Sequence, residues 1–416
     1  MRLRVVVIVL LISAVLAFSG CSLLNRAGVA RPEERPTTIG YSVADENRDG
    51  NQVIKRIVQG RAEADAQVRI SWRDAGGDAR RQEQDIERFI EQKVDAVVIQ
   101  FVEPQLGPGM VRRLAMNQIK VVALETPAPN APLDAYVASE HVRAGELMAR
   151  YVTRNLPTGA PGRVLVLAGD PNDPAAQDIV RGITGFMGAQ PGFALEIQEH
   201  LMADPGRAAA GVEEALAAGP LGAVMAVDSR MAVAAVEVLR REGLVEAVLT
   251  VGVGADRTAA EALVAGEHDA EVDVRPDLLA QFSYEAARGL ARDGHWSYDT
   301  QLESGDYTVP ARLVPVRLVH GNNAFLLEAY YGDLTRGGGA TGSRQRPQQG
   351  LEQGQDQGDN QQQQQQQQPP MTKVTITTRD GRTMEIDVPG EIQSIETAQQ
   401  GGQTGGQQGG QPGGQQ

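Results

Sequence analysis

From Ile39 onward the chain alternates short apolar runs with longer segments whose apolar residues recur every three or four positions. The first pattern belongs to strands, the second to amphipathic helices. Residues 38–43 read as a strand, 53–64 as a helix and 68–72 as the next strand. Residues 78–93 form a polar helical pattern with Ile86, Phe89 and Ile90 on one face. The run 94–99 that follows is nearly continuous in apolar residues, the mark of a strand buried on both faces. A helix at 111–117 and a buried strand at 121–124 come next. A Pro-rich turn, 127–132, interrupts the alternation, which restarts with a strand at 136–138 and a helix at 143–155. Strands at 163–167, 194–200, 223–227, 248–253 and 271–274 then alternate with helices at 175–187, 208–217, 231–242, 258–263 and 277–292. Repeated β–α units predict parallel sheets covered by helices. One pause and one restart predict an α/β chain of two Rossmann-like lobes rather than one large sheet. The expected boundaries are 37–126 plus 275–302 for the N-terminal lobe and 127–274 plus 303–335 for the C-terminal lobe.

Both ends of the chain depart from this pattern. Arg2 and Arg4 precede an apolar stretch, 5–18, and the small pair Ser19-Gly20. That is the layout of a bacterial signal peptide over residues 1–20, too short and wrongly flanked for a spanning helix. Cys21, the only cysteine, stands at the cleavage point. Leu16-Ala17-Phe18-Ser19-Gly20-Cys21 resembles a lipobox, in which the thiol is acylated and becomes the new N-terminus. A lone cysteine is otherwise a small hydrophobe, but its position here favours lipidation. The expectation is an extracytoplasmic protein held to the cell membrane by lipid, on the periplasmic side or at the cell surface, with 21–36 as a linker. At the other end, 336–370 and 391–416 are rich in Gly and Gln and cannot bury enough apolar surface to order themselves. Between them 371–390 alternates apolar and polar positions around Asp380-Gly381, a candidate β-hairpin.

Charge and composition narrow the function. A formal net charge of −14 argues against nucleic acid as a partner. It argues equally against a body that lies on an anionic membrane. The mature body has no cysteine, so no disulfide framework holds it. The five His are too dispersed for metal-ligand spacing. No nucleophile elbow or phosphate loop appears, and Gly252-Val253-Gly254 lacks the rest of a dinucleotide fingerprint. Residues 169–173 lack the alternating oxygens of a calcium loop and read as a strand-to-helix turn. An enzyme, a cofactor and a metal are therefore not expected.

What remains is a set of polar residues at the carboxyl ends of the predicted strands, where open α/β sheets place ligands. These are Asp45 and Asn47, Glu103, Glu125, Asp170 and Asn172, Asp228, Asp256 and Arg275, with Glu46, Glu140, His141 and Asp273 beside them. Each also reads as an ordinary helix cap. Together they line a cleft between two lobes. Phe101 or Trp72 could supply an aromatic platform there, although Trp72 reads first as packing. If Glu103, Glu125 and Asp228 converge unpaired, a cationic or amino-bearing ligand would relieve their repulsion.

Three stretches carry a resemblance to a known family over roughly residues 39–318. They are Gln82-Glu83-Gln84-Asp85-Ile86-Glu87 through Lys93-Val94-Asp95-Ala96-Val97-Val98-Ile99, then Tyr136-Val137-Ala138-Ser139-Glu140-His141 with Gly145-Glu146-Leu147, then Ala226-Val227-Asp228-Ser229-Arg230-Met231-Ala232. With them the chain resembles the periplasmic substrate-binding proteins of bacterial ABC sugar importers, similar to ribose- and xylose-binding proteins. The resemblance implies the type I periplasmic binding fold, two lobes joined by three crossing segments that close on a ligand. It implies a small polar ligand, a carbohydrate or relative, and a membrane ABC permease as partners. An arginine pointing into the cleft from the helix after Asp170 would be Arg181. The chain departs from the family where aromatics should follow the first strand, since Asn47-Arg48-Asp49-Gly50-Asn51 stands there. It departs again at Glu125-Thr126-Pro127 and at Gly252-Val253-Gly254-Ala255, with Asp256 two places late. Two other readings stay open: a sensor presented to a chemoreceptor or histidine kinase, and a structural envelope lipoprotein whose ligand site has degenerated.

Overall fold

The computed structural model describes residues 35–334, apart from 49 and 189, and the backbone of two strands, 371–377 and 383–389. The expected signal peptide, Cys21, most of the linker and the two Gly/Gln-rich segments lie outside the described residues.

In chain order β1 (Thr37–Val43), α1 (Asn51–Ala64), β2 (Val68–Asp74), α2 (Ala79–Gln92), β3 (Ala96–Ile99), α3 (Gly107–Met116), β4 (Lys120–Leu124) and β5 (Ala135–Ser139) build most of one lobe. The second lobe holds α4 (His141–Asn155), β6 (Arg163–Leu167), α5 (Pro174–Met187), β7 (Ala194–Gln198), α6 (Pro205–Ala218), β8 (Ala223–Ala226), α7 (Ser229–Arg241), β9 (Leu249–Val253), α8 (Arg257–Ala265) and β10 (Ala270–Asp273). The chain returns to the first lobe with α9 (Pro276–Asp293), β11 (Thr300–Ser304) and β12 (Tyr307–Val314). It then crosses again to β13 (Arg317–His320) and α10 (Glu328–Tyr331).

The first sheet has strand order β11-β12-β5-β4-β3-β1-β2 and the second β13-β10-β9-β8-β6-β7. All pairings are parallel except β11 with β12 and β10 with β13. β3 and β8 are buried along their whole length, as their unbroken apolar sequences require when helices cover both faces. Three segments cross between lobes: 139–141 between β5 and α4, 274–275 between β10 and α9, and 315–316 between β12 and β13.

Two expectations need correction. The lobe boundary does not fall at 126/127, because β5 pairs with β4 in the first sheet from Val122 opposite Ala135. The Pro-rich turn is a loop inside one lobe, and the pause in the pattern came from a parallel connection that carries no helix. Residues 303–314 also belong to the first sheet, through β12. Pro310 masked that strand. It sits opposite Gln301 of β11, one residue before pairing with β5 begins at Ala311, so its missing N–H falls outside that parallel ladder.

In the separate C-terminal unit, β14 (Met371–Thr377) and β15 (Thr383–Pro389) pair antiparallel, with Val374 opposite Ile386 and Ile376 opposite Met384.

Candidate functional site

A cavity of about 270 Å³ lies at the carboxyl ends of strands from both sheets. From the first lobe it takes Asp45 and Arg48 after β1, Phe101 after β3, and Glu125 and Thr126 after β4. From the second it takes Asp170 and Asp173 after β6, and Asp228 and Arg230 after β8, with His141 at the start of α4.

The loop after β1 is held by a buried amide network. Asn51 Nδ2 donates to the Asp45 carbonyl and to Gln100 Oε1, each at 2.8 Å. Gln82, buried on α2, donates to the Gln100 carbonyl at 2.8 Å and accepts from the Val102 amide at 3.0 Å. These bonds tie two strand ends to each other at the cleft.

In the second lobe the carboxylates are helix caps first. Asp173 Oδ1 accepts from the Ala175 amide at 3.0 Å at the start of α5, and Asp228 Oδ1 from the Arg230 amide at 2.8 Å at the start of α7. Each meets an arginine as well. Arg230 forks onto Asp228, Nε to Oδ1 at 3.1 Å and Nη2 to Oδ2 at 2.9 Å, and its Nη1 reaches Asp45 Oδ2 of the other lobe at 3.4 Å. Arg48 Nη2 donates across the cleft to Asp173 Oδ2 at 3.1 Å.

At the crossing between the lobes, Glu125 lies 2.6 Å from His141 Nε2, and both are buried. Burial alone would lower the His141 pKa, but the charge and hydrogen bond of Glu125, with Asp173 and Asp178 nearby, leave it raised. Asp256 caps α8 through the Ala259 amide at 3.0 Å. Its carboxyl is pushed up to about 6, chiefly by burial, with Glu271 and Asp228 adding repulsion.

Of the ten residues singled out by sequence, the cavity brings together Asp45, Phe101, Glu125, Asp170 and Asp228. Phe101 is 0 % exposed and belongs to the apolar core of its lobe, so it forms wall rather than an open stacking face. The other five lie off the lining. Asn47, Glu103 and Asn172 are exposed. Asp256 serves as a cap, and Arg275 forks onto Asp277 at 3.0 Å from both Nε and Nη2.

The unpaired acidic cluster is overturned: Glu125 is paired with His141, Asp228 with Arg230, and Glu103 is exposed and off the cavity lining. Arg181 is overturned too, being two-thirds exposed and paired with Asp178. The arginines that do enter the cavity are Arg48 and Arg230. Trp72 stacks on Tyr41 with ring centroids 5.4 Å apart, away from the cavity lining, and donates to Glu46 at 3.2 Å. Arg48, His141, Asp173 and Arg230 were not among the ten. Each adjoins or sits within a motif the sequence does display, but a cap and a cleft residue look alike there.

Among the described residues no group of three or more His, Cys, Asp or Glu could hold a metal ion, and no helix is long and apolar enough to cross a membrane.

Residues 39–295 match the sequence profile of the periplasmic binding protein domain. The chain is 26% identical over 312 residues to the D-xylose-binding periplasmic protein of Escherichia coli, covering 73% of this chain and 92% of that one. It is 25% identical over 251 residues to a ribose import binding protein of Bacillus subtilis, covering 60% and 80%. Among solved structures, an ABC transporter solute binding protein from Bacillus halodurans with bound myo-inositol superposes with a TM-score of 0.63. The two share 21% identity over 72% of this chain and all of that one. A carbohydrate transporter solute binding protein from Chloroflexus aurantiacus in complex with D-glucose gives 0.65 at 15% identity, over 72% and 96%. Likeness at that identity speaks for the fold.

Proposed function

The chain belongs to the periplasmic binding protein domain family, a family of non-enzymatic solute-binding proteins, and from that premise we propose that it captures a small neutral polyhydroxylated molecule, a sugar or a close relative, between its lobes and delivers it to an ABC permease. One observation carries this reading: a single cavity is lined from both lobes by carboxylates already paired with arginines. Carboxylates fixed as caps and neutralised in this way keep lone pairs for ligand hydroxyls without demanding a cation. At about 270 Å³ the space lies at the lower edge of the range for ligand pockets, a size for one sugar ring. We further propose that Cys21 carries the lipid and holds the protein at the outer face of the cell membrane. The relatives named for xylose and ribose, and the structures with myo-inositol and glucose, set the first ligands to try.

Thermal denaturation across sugars and polyols tests the reading. A ligand of the closed form stabilises by mass action, about 2.7 kcal/mol at a hundredfold excess over Kd. A flat response to the whole set would refute it.

A further inference from the structure

The side of the cleft nearest the crossing segments holds a histidine whose role the proposed sugar site does not yet use. Glu125, the sequence candidate at this wall, is almost fully committed to the protein. Its amide donates to the Val137 carbonyl at 2.9 Å, and its own carbonyl accepts from Tyr136 Oη at 2.8 Å. Its Oε1 accepts from the Ser139 amide at 3.0 Å and lies 2.6 Å from Ser139 Oγ, and its Oε2 meets His141 Nε2 at 2.6 Å. Three of a carboxylate's roughly four acceptor positions are therefore taken. The backbone of Glu125 is itself in the left-handed region, φ 61°. A bulky residue is held there only when its surroundings over-determine it.

The consequence falls on His141. The bond to Glu125 fixes the ring's rotation and ties Nε2, while no described residue bonds Nδ1. The side chain is only 7 % exposed and lines the cavity. With Nε2 committed to Glu125, Nδ1 is the ring's remaining polar atom, and the cavity that the ring lines is where a ligand would reach it. We propose that His141 is a ligand-contacting, specificity-determining residue: Glu125 positions it, and its Nδ1 makes one hydrogen bond to a ligand hydroxyl at the hinge wall. This rests on the sugar-binding reading above. It also reassigns Glu125 from ligand contact to positioning residue.

The geometry limits the ligand. With Nε2–H given to the carboxylate, Nδ1 of neutral imidazole accepts a hydroxyl proton, and Nδ1–H of imidazolium donates to the hydroxyl oxygen. A hydroxyl satisfies both states; an ether or a deoxygenated carbon at the same place does not. The neighbouring Asp45, Asp170 and Asp228 accept only, so the ligand must bring hydroxyls to several walls of the cavity at once.

The test uses the whole protein and four probes: D-xylose, D-ribose, D-glucose and myo-inositol. Imidazole nitrogen spectra, with His141 assigned by comparison with His141→Phe, should show Nδ1 shifting on saturation while Nε2 stays put. For the probe that binds, one monodeoxy analogue should lose about tenfold in affinity, 1.4 kcal/mol. That penalty should fall below about twofold in His141→Phe, with the penalties at other positions unchanged, as a double-mutant cycle requires of a direct contact. Glu125→Gln, which keeps an acceptor for Nε2, should lose less affinity than His141→Phe. An unmoved Nδ1 in saturated protein, or the same deoxy penalties in both proteins, overturns the assignment and leaves the sugar reading standing. Wild-type protein that binds none of the four overturns both.

Discussion

Arg48 of the first lobe donates to Asp173 of the second at 3.1 Å, and the same carboxylate caps α5 through the Ala175 amide. With Asp45 and Arg230 at 3.4 Å, this gives two ion pairs that span the cleft beside the cavity. Both are partly buried, so each contributes on the order of 1 kcal/mol rather than several.

Removing one pair should therefore move the opening equilibrium without unfolding either lobe. Arg48→Ala is expected to shift the open-to-closed ratio about fivefold toward open, the equivalent of about 1 kcal/mol. Small-angle scattering of the unliganded protein would register this as a larger radius of gyration. Identical profiles for variant and wild type would show that the pair does not govern closure.

Asp256 gives a pH prediction with a definite sign. Its folded pKa, about 6, lies above the ordinary value near 3.8. The folded state therefore binds this proton more tightly than the unfolded chain, and ionisation above about pH 6 destabilises. Asp256→Asn keeps an equally good cap. It should stabilise the protein at pH 7 by on the order of 1–3 kcal/mol, read as a higher melting temperature. The advantage should fade between pH 6 and about 4 and be absent below. A gain that grew on acidification would contradict the burial argument.

Gly145 in α4 and Gly182 in α5 let two helices touch backbone to backbone. A Cβ on Gly145 would lie 1.9 Å from the Ile179 carbonyl oxygen, and one on Gly182 would lie 2.0 Å from that of Val142. Neither neighbour is a flexible side chain. Alanine at either place should force the helices apart and cost about 1–3 kcal/mol, the usual range for overpacking. Chemical denaturation of Gly145→Ala and Gly182→Ala measures it. Unchanged midpoints would mean the helices separate at no cost.

The lipid anchor is tested in cells. If Cys21 is acylated as proposed, Cys21→Ser should move the protein from the membrane fraction to the soluble extracytoplasmic fraction. Retention of the variant in the membrane would remove Cys21 from the account.

Fold class was legible because local pattern carries it. The run from Gln82 to Ile99 shows both a helical stripe and a doubly buried strand, and Gln82 turns out to bridge α2 to the strand ends. Lobe membership was less legible. A ten-residue loop without a helix, 125–134, joins two parallel neighbours, and Pro310 hides an inner strand. Within the site, capping carboxylates such as Asp228 could be placed from the strand ends they follow. Their partners could not: Arg48 and Asp173 are separated by 125 positions, and Asp45 and Arg230 by 185. Nothing in local sequence distinguishes an arginine that crosses a cleft from one like Arg181 that lies on the surface. The conditional expectation of a cationic ligand lost its premise for that reason, since the acids were visible and their partners were not.

On the proposed reading the cavity takes a neutral sugar on arginine-paired carboxylates. Isothermal titration of the purified protein with D-xylose, D-ribose, D-glucose and myo-inositol tests it most directly. At least one should give a saturable one-to-one isotherm, weakened tenfold or more by Asp228→Asn. The absence of saturable binding to any of the four at millimolar concentration, or binding indifferent to Asp228, would contradict it.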